Sequence, residues 1–269
     1  MSGTLQTIYQ NLRSFGVADN TAAWFGAGYN AGNRSTVDRI TYATDTATAS
    51  VRGPLSLARY SFAAAGNTTN GWFGGGVGPL TSTVDRITYA SDNNTASVRG
   101  PLSSASAYMA AAGNTTDGWF GGGNAGGVPG LSAVERITYA TDTATASIRG
   151  PLSVGRRTNL GATGNTTNAW FGGGNGISTG PGRTSIVDRI TFETDTATAS
   201  VRGPLSSASA YMAAAGNSTD GWWAGGRRGD PSYTSTVERI TYATDTAATS
   251  TRGPLSLVRN ALVAAGGLQ

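Results

Sequence analysis

The stretch Gly71-Trp72-Phe73-Gly74-Gly75-Gly76, continued by Thr83-Val84-Asp85-Arg86-Ile87-Thr88-Tyr89 and by Thr95-Ala96-Ser97-Val98-Arg99-Gly100-Pro101-Leu102-Ser103, decides the fold, because near-copies of it fill the chain. Trp24, Trp72, Trp119, Trp170 and Trp222 each open an aromatic-glycine run, at spacings of 48, 47, 51 and 52 residues. Self-similarity at such a period marks an array of supersecondary units, none of which can bury its apolar face alone. A small-residue segment completes each unit, as in Tyr108-Met109-Ala110-Ala111-Ala112-Gly113-Asn114. Short β-rich runs bounded by Gly, Asn, Asp and Pro predict four short strands per unit.

Turn chemistry supports these boundaries. Asn67-Thr68-Thr69-Asn70-Gly71 and its copies join the Ala-rich strand to the Trp strand, and Thr44-Asp45-Thr46 and its copies join the next pair, both read as hairpin-length loops. Arg52-Gly53-Pro54-Leu55-Ser56 ends a strand, since Pro lacks the N–H a central ladder needs, and leads to the next unit.

Composition agrees with strands and tight turns. Of 269 residues 40 are Gly, and only 13% are charged, about half the usual share. The chain has no Cys, His or Lys, so all 19 basic side chains are Arg. That excludes disulfides, thiolate nucleophiles, imidazole bases and Schiff bases. No basic and apolar leader is visible in Met1–Gln10, so no signal peptide is expected, and no apolar run is long enough to predict membrane insertion.

The order of a small-apolar strand, an aromatic-Gly-Gly strand, a Ser/Thr-Val-Asp/Glu-Arg-Ile-x-Tyr strand and an Asp-Thr turn resembles the kelch motif over residues 12–266. The resemblance implies an all-β, five-bladed kelch-like β-propeller with four antiparallel strands per blade. The chain lacks the Trp that kelch repeats usually carry on the fourth strand, so the packing between blades there must differ. The wording Asp-Arg-Ile-Thr-Tyr-Ala-Thr-Asp-Thr-Ala-Thr-Ala-Ser-Val-Arg-Gly-Pro-Leu-Ser is also similar to repeats in predicted structural proteins of marine bacteriophages, cyanophages in particular.

As a propeller the chain is one domain, 1–269, with blades built on strands in 22–53, 71–102, 118–152, 169–205 and 221–255. Innermost strands crowd round the axis, which suits Ala63-Ala64-Ala65-Gly66 and Ala213-Ala214-Ala215-Gly216, and leaves Trp and Phe between blades. Alternation puts Val37 and Arg39 on one face of the third strand and Asp38, Ile40 and Tyr42 on the other. Inner-strand copies at 12–18 and 261–266 compete for one slot in the first blade. Filling it from the C-terminus would clasp the ring shut.

Ten Arg and ten acids recur at fixed repeat positions and cancel. The third- and fourth-strand Arg are read as pairing with the third-strand acids in a structural ladder, because buried charges must be paired. The nine other Arg exceed the five other acids and set the net charge of +4. In a four-stranded antiparallel blade the loops joining strands two to three and four to one emerge on the same side. All nine unpatterned Arg fall in or beside these loops, and the turn Asp residues fall on the opposite rim. This predicts a basic, partner-binding loop face carrying Arg34, Arg59, Arg156, Arg157, Arg183, Arg227 and Arg228, with Tyr29 and Tyr233 adding aromatic contact. The same loops vary most in length and wording, and variable loops on a rigid scaffold commonly hold recognition. The bland alternative is that scattered Arg keep the disc soluble.

No chemistry emerges beside this. Gly-Gly-Gly after Trp-Phe lacks the Lys and the helix of a phosphate-binding loop. The Asp residues recur fivefold with no unique carboxylate pair. Single Asp turns offer too few oxygens for Ca²⁺, and the sequons at Asn67, Asn114, Asn165 and Asn217 read as turns. The copper oxidases that share the kelch propeller need His and Cys, which this chain lacks. The expectations are therefore no catalysis, no cofactor, no metal site and no nucleic acid partner. The phage resemblance implies a virion structural or receptor-binding propeller, a tail or capsid accessory, assembled in the host cytoplasm and located in the virion. Its partners would be other virion proteins or a host-surface receptor, an anionic glycan among them. The alternatives are a multivalent lectin that binds sugar between blades through the repeated Trp and Arg, and an intracellular kelch scaffold.

Overall fold

The computed structural model describes residues 21–126, 130–155, 159–176, 182–228 and 232–260. Five small antiparallel sheets follow one another as the blades of a β-propeller. In the second blade the strands are Ala63–Gly66, Asn70–Gly74, Val84–Thr88 and Ser97–Arg99, hydrogen-bonded in that order. The third, fourth and fifth blades repeat this from Ala110, Gly161 and Ala213. The first blade has three described strands, Ala22–Tyr29, Asn33–Thr41 and Ser50–Arg52. Both competing inner-strand copies, 12–18 and 261–266, lie outside the described residues.

Side-chain size dictates the radial order. Ala63, Ala64 and Ala65 are buried where the inner strands of successive blades meet, and an added Cβ at Gly118 would sit 2.9 Å from the Ala65 Cβ. Pleat alternation then sorts each blade into two faces. Trp119 and Val134 of the third blade pack with Phe171, Ile190 and Phe192 of the fourth in a single core cluster. The core is thus a set of layers between blades.

The first of the two turns is as expected. Asn67 Oδ1 accepts from the backbone N–H groups of Thr69 and Asn70 at 3.0 Å, and Asn114, Asn165 and Asn217 do the same in their blades. The second is longer than a hairpin. Tyr89–Ser91 forms a 3₁₀ turn that ends at Asp92, and the chain runs on to Ser97 before pairing again. This excursion carries the Asp beneath the preceding blade.

Candidate functional site: blade junctions and the loop rim

Trp24, Trp72, Trp119 and Trp170 are each the centre of a junction. Trp72 Nε1 donates to Asp142 Oδ2 of the next blade at 2.8 Å, and the Arg86 guanidinium reaches the same oxygen at 3.0 Å. Arg99 Nε stands 3.6 Å from it, an ion-pair distance beyond hydrogen-bond reach. The Trp72 ring stacks on Tyr139 of that next blade, centroids 3.8 Å apart and planes 8° from parallel. The backbone closes the same contact, since Gly100 N–H donates to Asp142 O at 2.8 Å. An added Cβ at Gly100 would lie 2.0 Å from Ala144 O, so the Gly of Arg-Gly-Pro is a requirement of close approach.

Among the described residues the arrangement is built four times. Trp24, Trp72, Trp119 and Trp170 donate to Asp92, Asp142, Asp195 and Asp245. The matching third-strand Arg residues lie 3.0 to 3.1 Å from those carboxylates. This corrects two expectations. The Arg ladder runs to the turn Asp residues, and these four are buried between blades instead of forming an acidic rim. The reason is that the third-strand acid lies on the opposite pleat face from its neighbouring Arg, whereas the turn Asp of the next blade meets two guanidinium groups and an indole N–H. With the Trp on the second strand doing this packing, the fourth strand needs none, and Val98 points outward at 60% exposure.

The third-strand acids have a different task. Asp85, Glu135, Asp188 and Glu238 accept the backbone N–H of Ser56, Ser103, Ser153 and Ser206, where the previous blade hands the chain on. Burial pushes the Glu135 carboxyl above its ordinary value, partly offset by its hydrogen bonds from Ser103.

The rim geometry is as expected where it is described. Gly28 N–H donates to Arg59 O and Arg59 N–H to Arg34 O, so the two–three loop and the four–one connection share one side. Tyr29 is 67% exposed, and its ring meets Tyr60 at 5.4 Å between centroids. Arg34 is exposed and donates to Asn30 O. Tyr233 is 48% exposed and is bridged through its backbone to Arg227. Arg183 and Arg227 are half-buried. Arg156 and Arg157 lie outside the described residues.

Two of the expected rim Arg turn inward. Arg59 is fully buried, its guanidinium 3.1 Å from Asp85 and donating to Phe73 O at 2.9 Å. Burial draws its pKa down while Asp85 holds it up. It is a junction residue, corrected from a partner-contacting one, because the buried carboxylate of Asp85 requires a cation beside it. Arg228 likewise pairs with Glu238. The four-residue junction escapes sequence reasoning although its signal is present: Trp, both Arg and the turn Asp recur together in every unit, with the Gly-Pro that brings blades into contact.

No protein-family model matches the chain, and no curated protein matches it. A solved structure described as the "Structure of YjhT" matches with a TM-score of 0.72 over 97% of this chain and 87% of that one, at 14% identity. The fold is a five-bladed β-propeller. At that identity the likeness carries architecture only, so activity must be argued from this chain's own residues. Among the described residues no helix is long and apolar enough to cross a membrane.

Proposed function

We propose that this propeller acts by binding, without catalysis, through its variable-loop rim, as a structural or receptor-binding component of a bacteriophage particle. The observation that carries the binding reading is the division of labour among its side chains. The recurring Trp, Arg and Asp groups are engaged in the four junctions, whereas Tyr29, Arg34 and Tyr233 stand exposed on loops of unequal length. A rigid scaffold that presents unlike loops on one side favours recognition. Junction-bound carboxylates are unavailable as a general acid and base, and the chain has no His, Cys or Lys to replace them.

The phage setting is supported by the repeat wording alone. Its test is mass spectrometry of purified particles from a host that expresses the chain, and absence from every particle ends it. The partner reading is tested separately by measuring binding to host envelope preparations across ionic strength. Retention that weakens as salt rises supports an anionic partner, and salt-insensitive binding opposes one. Because Trp72, Trp119 and Trp170 are buried between blades, sugar recognition would have to use the rim. A glycan array with Tyr29→Ala and Tyr233→Ala variants reads that directly.

A further inference from the structure

Five repeats need five junctions, and the described residues build four. At the fifth, between the last blade and the first, each half of the lock is present, and among the described residues neither contacts the other. Trp222 stands where Trp72 stands in its blade, but it is half-buried, and its indole N–H meets no acceptor among the described residues. Arg252 is exposed, and a Cβ at Gly253 would meet nothing within 4 Å, where the equivalent at Gly203 would strike backbone at 1.7 Å. Across the gap Asp45 is exposed, whereas its four counterparts are buried.

We propose that Trp222, Arg239 and Arg252 form a carboxylate-binding site whose occupant is Asp45 of the same chain, so that the seam closes as a fifth copy of the junction. Four internal templates define what such a site takes: one aspartate oxygen, held by an indole N–H and two guanidinium groups. Arg239 remains competent for this, since its contact at 3.6 Å with Asp220 has a counterpart in Arg136, which holds Asp117 and Asp195 together.

A second, independent pattern matches the same two edges. Where the connection between blades carries Arg, the next third-strand acid is Asp, as in Arg59 with Asp85. Where it carries Ser, as at 106 and 209, the acid is the longer Glu, at 135 and 238. A long base meets a short acid, and a short hydroxyl leaves room for a long one. The last blade ends in Arg259 and the first carries Asp38, a pair of the first kind, and neither side chain has a hydrogen bond or ion pair with another described residue. The halves are selected for each other. Linkage in one chain raises their effective concentration to about the millimolar range.

The chain has no Cys, so a two-Cys variant gives a clean measurement. Arg52 Nη1 donates to Asn93 at 2.8 Å across a built junction, with Asn93 exposed and Arg52 half-buried. The equivalents across the seam are Arg252 and Thr46. Arg252→Cys/Thr46→Cys and the control Arg52→Cys/Asn93→Cys are each treated with a short bis-maleimide and read by intact mass and denaturing electrophoresis. Closure predicts an intramolecular cross-link forming within about threefold of the control's rate. A rate tenfold or more below the control, or cross-links only between chains, overturns the proposal. A second reading is independent of the linker: Asp45→Asn should lower the unfolding midpoint as Asp142→Asn does, and a silent Asp45→Asn sinks closure. Neither readout depends on what the rim binds, so the outcome leaves the proposed function to its own tests.

Discussion

Trp72 and Asp142, 70 residues apart in sequence, share a 2.8 Å hydrogen bond that joins two blades at a point where Arg86 also converges. The contact couples an apolar stack to a buried charge, so neither half is replaceable alone. Asp142→Asn keeps an acceptor but removes the charge that two Arg residues require. It should cost about 2–3 kcal/mol, the range for hydrogen bonds to charged groups. Trp72→Phe keeps part of the stack on Tyr139 and should cost a similar amount. The double variant should cost clearly less than the two singles together, because each removes the same bond. Urea denaturation of the four proteins measures this, and strict additivity would show that the bond contributes nothing.

A glycine substitution separates close approach from mere flexibility. Gly100→Ala places a methyl 2.0 Å from the Ala144 carbonyl, and backbone cannot swing aside as a side chain can. The expected loss is about 3 kcal/mol or more, at the upper end of overpacking costs. Gly182→Ala, with open space around its Cβ, should be neutral within about 0.5 kcal/mol. Equal melting temperatures for the two variants would contradict the junction geometry.

The architecture was legible because its determinants are local and repeated. Trp spacing, the Asn-Thr-Thr turns and the Gly-Pro strand ends each act within a few residues. The face assignment of Val37 and Arg39 against Asp38 and Ile40 followed from pleat alternation alone and matches the core layers. Charge pairing was not legible in the same way. Arg86 has Asp85 beside it in sequence, yet its partner Asp142 arrives from the next blade on a 3₁₀ excursion that residue order does not reveal. Arg59 was read as a rim residue for the same reason, since its distance from Asp85 depends on how blades nest.

Arg59 therefore makes a sharp test of rim against junction. Arg59→Ala strands the fully buried Asp85 carboxylate, and losing one partner of such a pair costs about 3–5 kcal/mol. Arg34→Ala and Tyr29→Ala, exposed on the same side, should shift stability by less than about 0.5 kcal/mol. If the rim binds an anionic partner, these two should weaken binding while their melting curves overlay that of the parent. An Arg59→Ala protein as stable as the parent would return Arg59 to the rim.

Glu135 gives a pH dependence whose sign is fixed by its environment. Its folded pKa lies above the unfolded value, chiefly because burial disfavours the charged form. Between those two values the folded protein holds the proton more tightly than the unfolded chain does, so stability falls as pH rises through the window and levels off above it. The carboxylate thus weakens the fold at neutral pH relative to mildly acidic conditions. Glu135→Gln removes the charge and keeps an amide oxygen to accept from Ser103 N–H, the bond that secures the handover between blades. At pH 7 the variant should be at least as stable as the parent, by up to about 1 kcal/mol, the scale of one hydrogen bond or a modest pKa shift. As pH is lowered toward the ordinary carboxylate range the advantage should vanish, because the parent becomes neutral at that site too. Chemical denaturation of both proteins from pH 4 to pH 8 measures the difference curve, and a Glu135→Gln protein markedly less stable at pH 7 would mean that the charge is held by a cation.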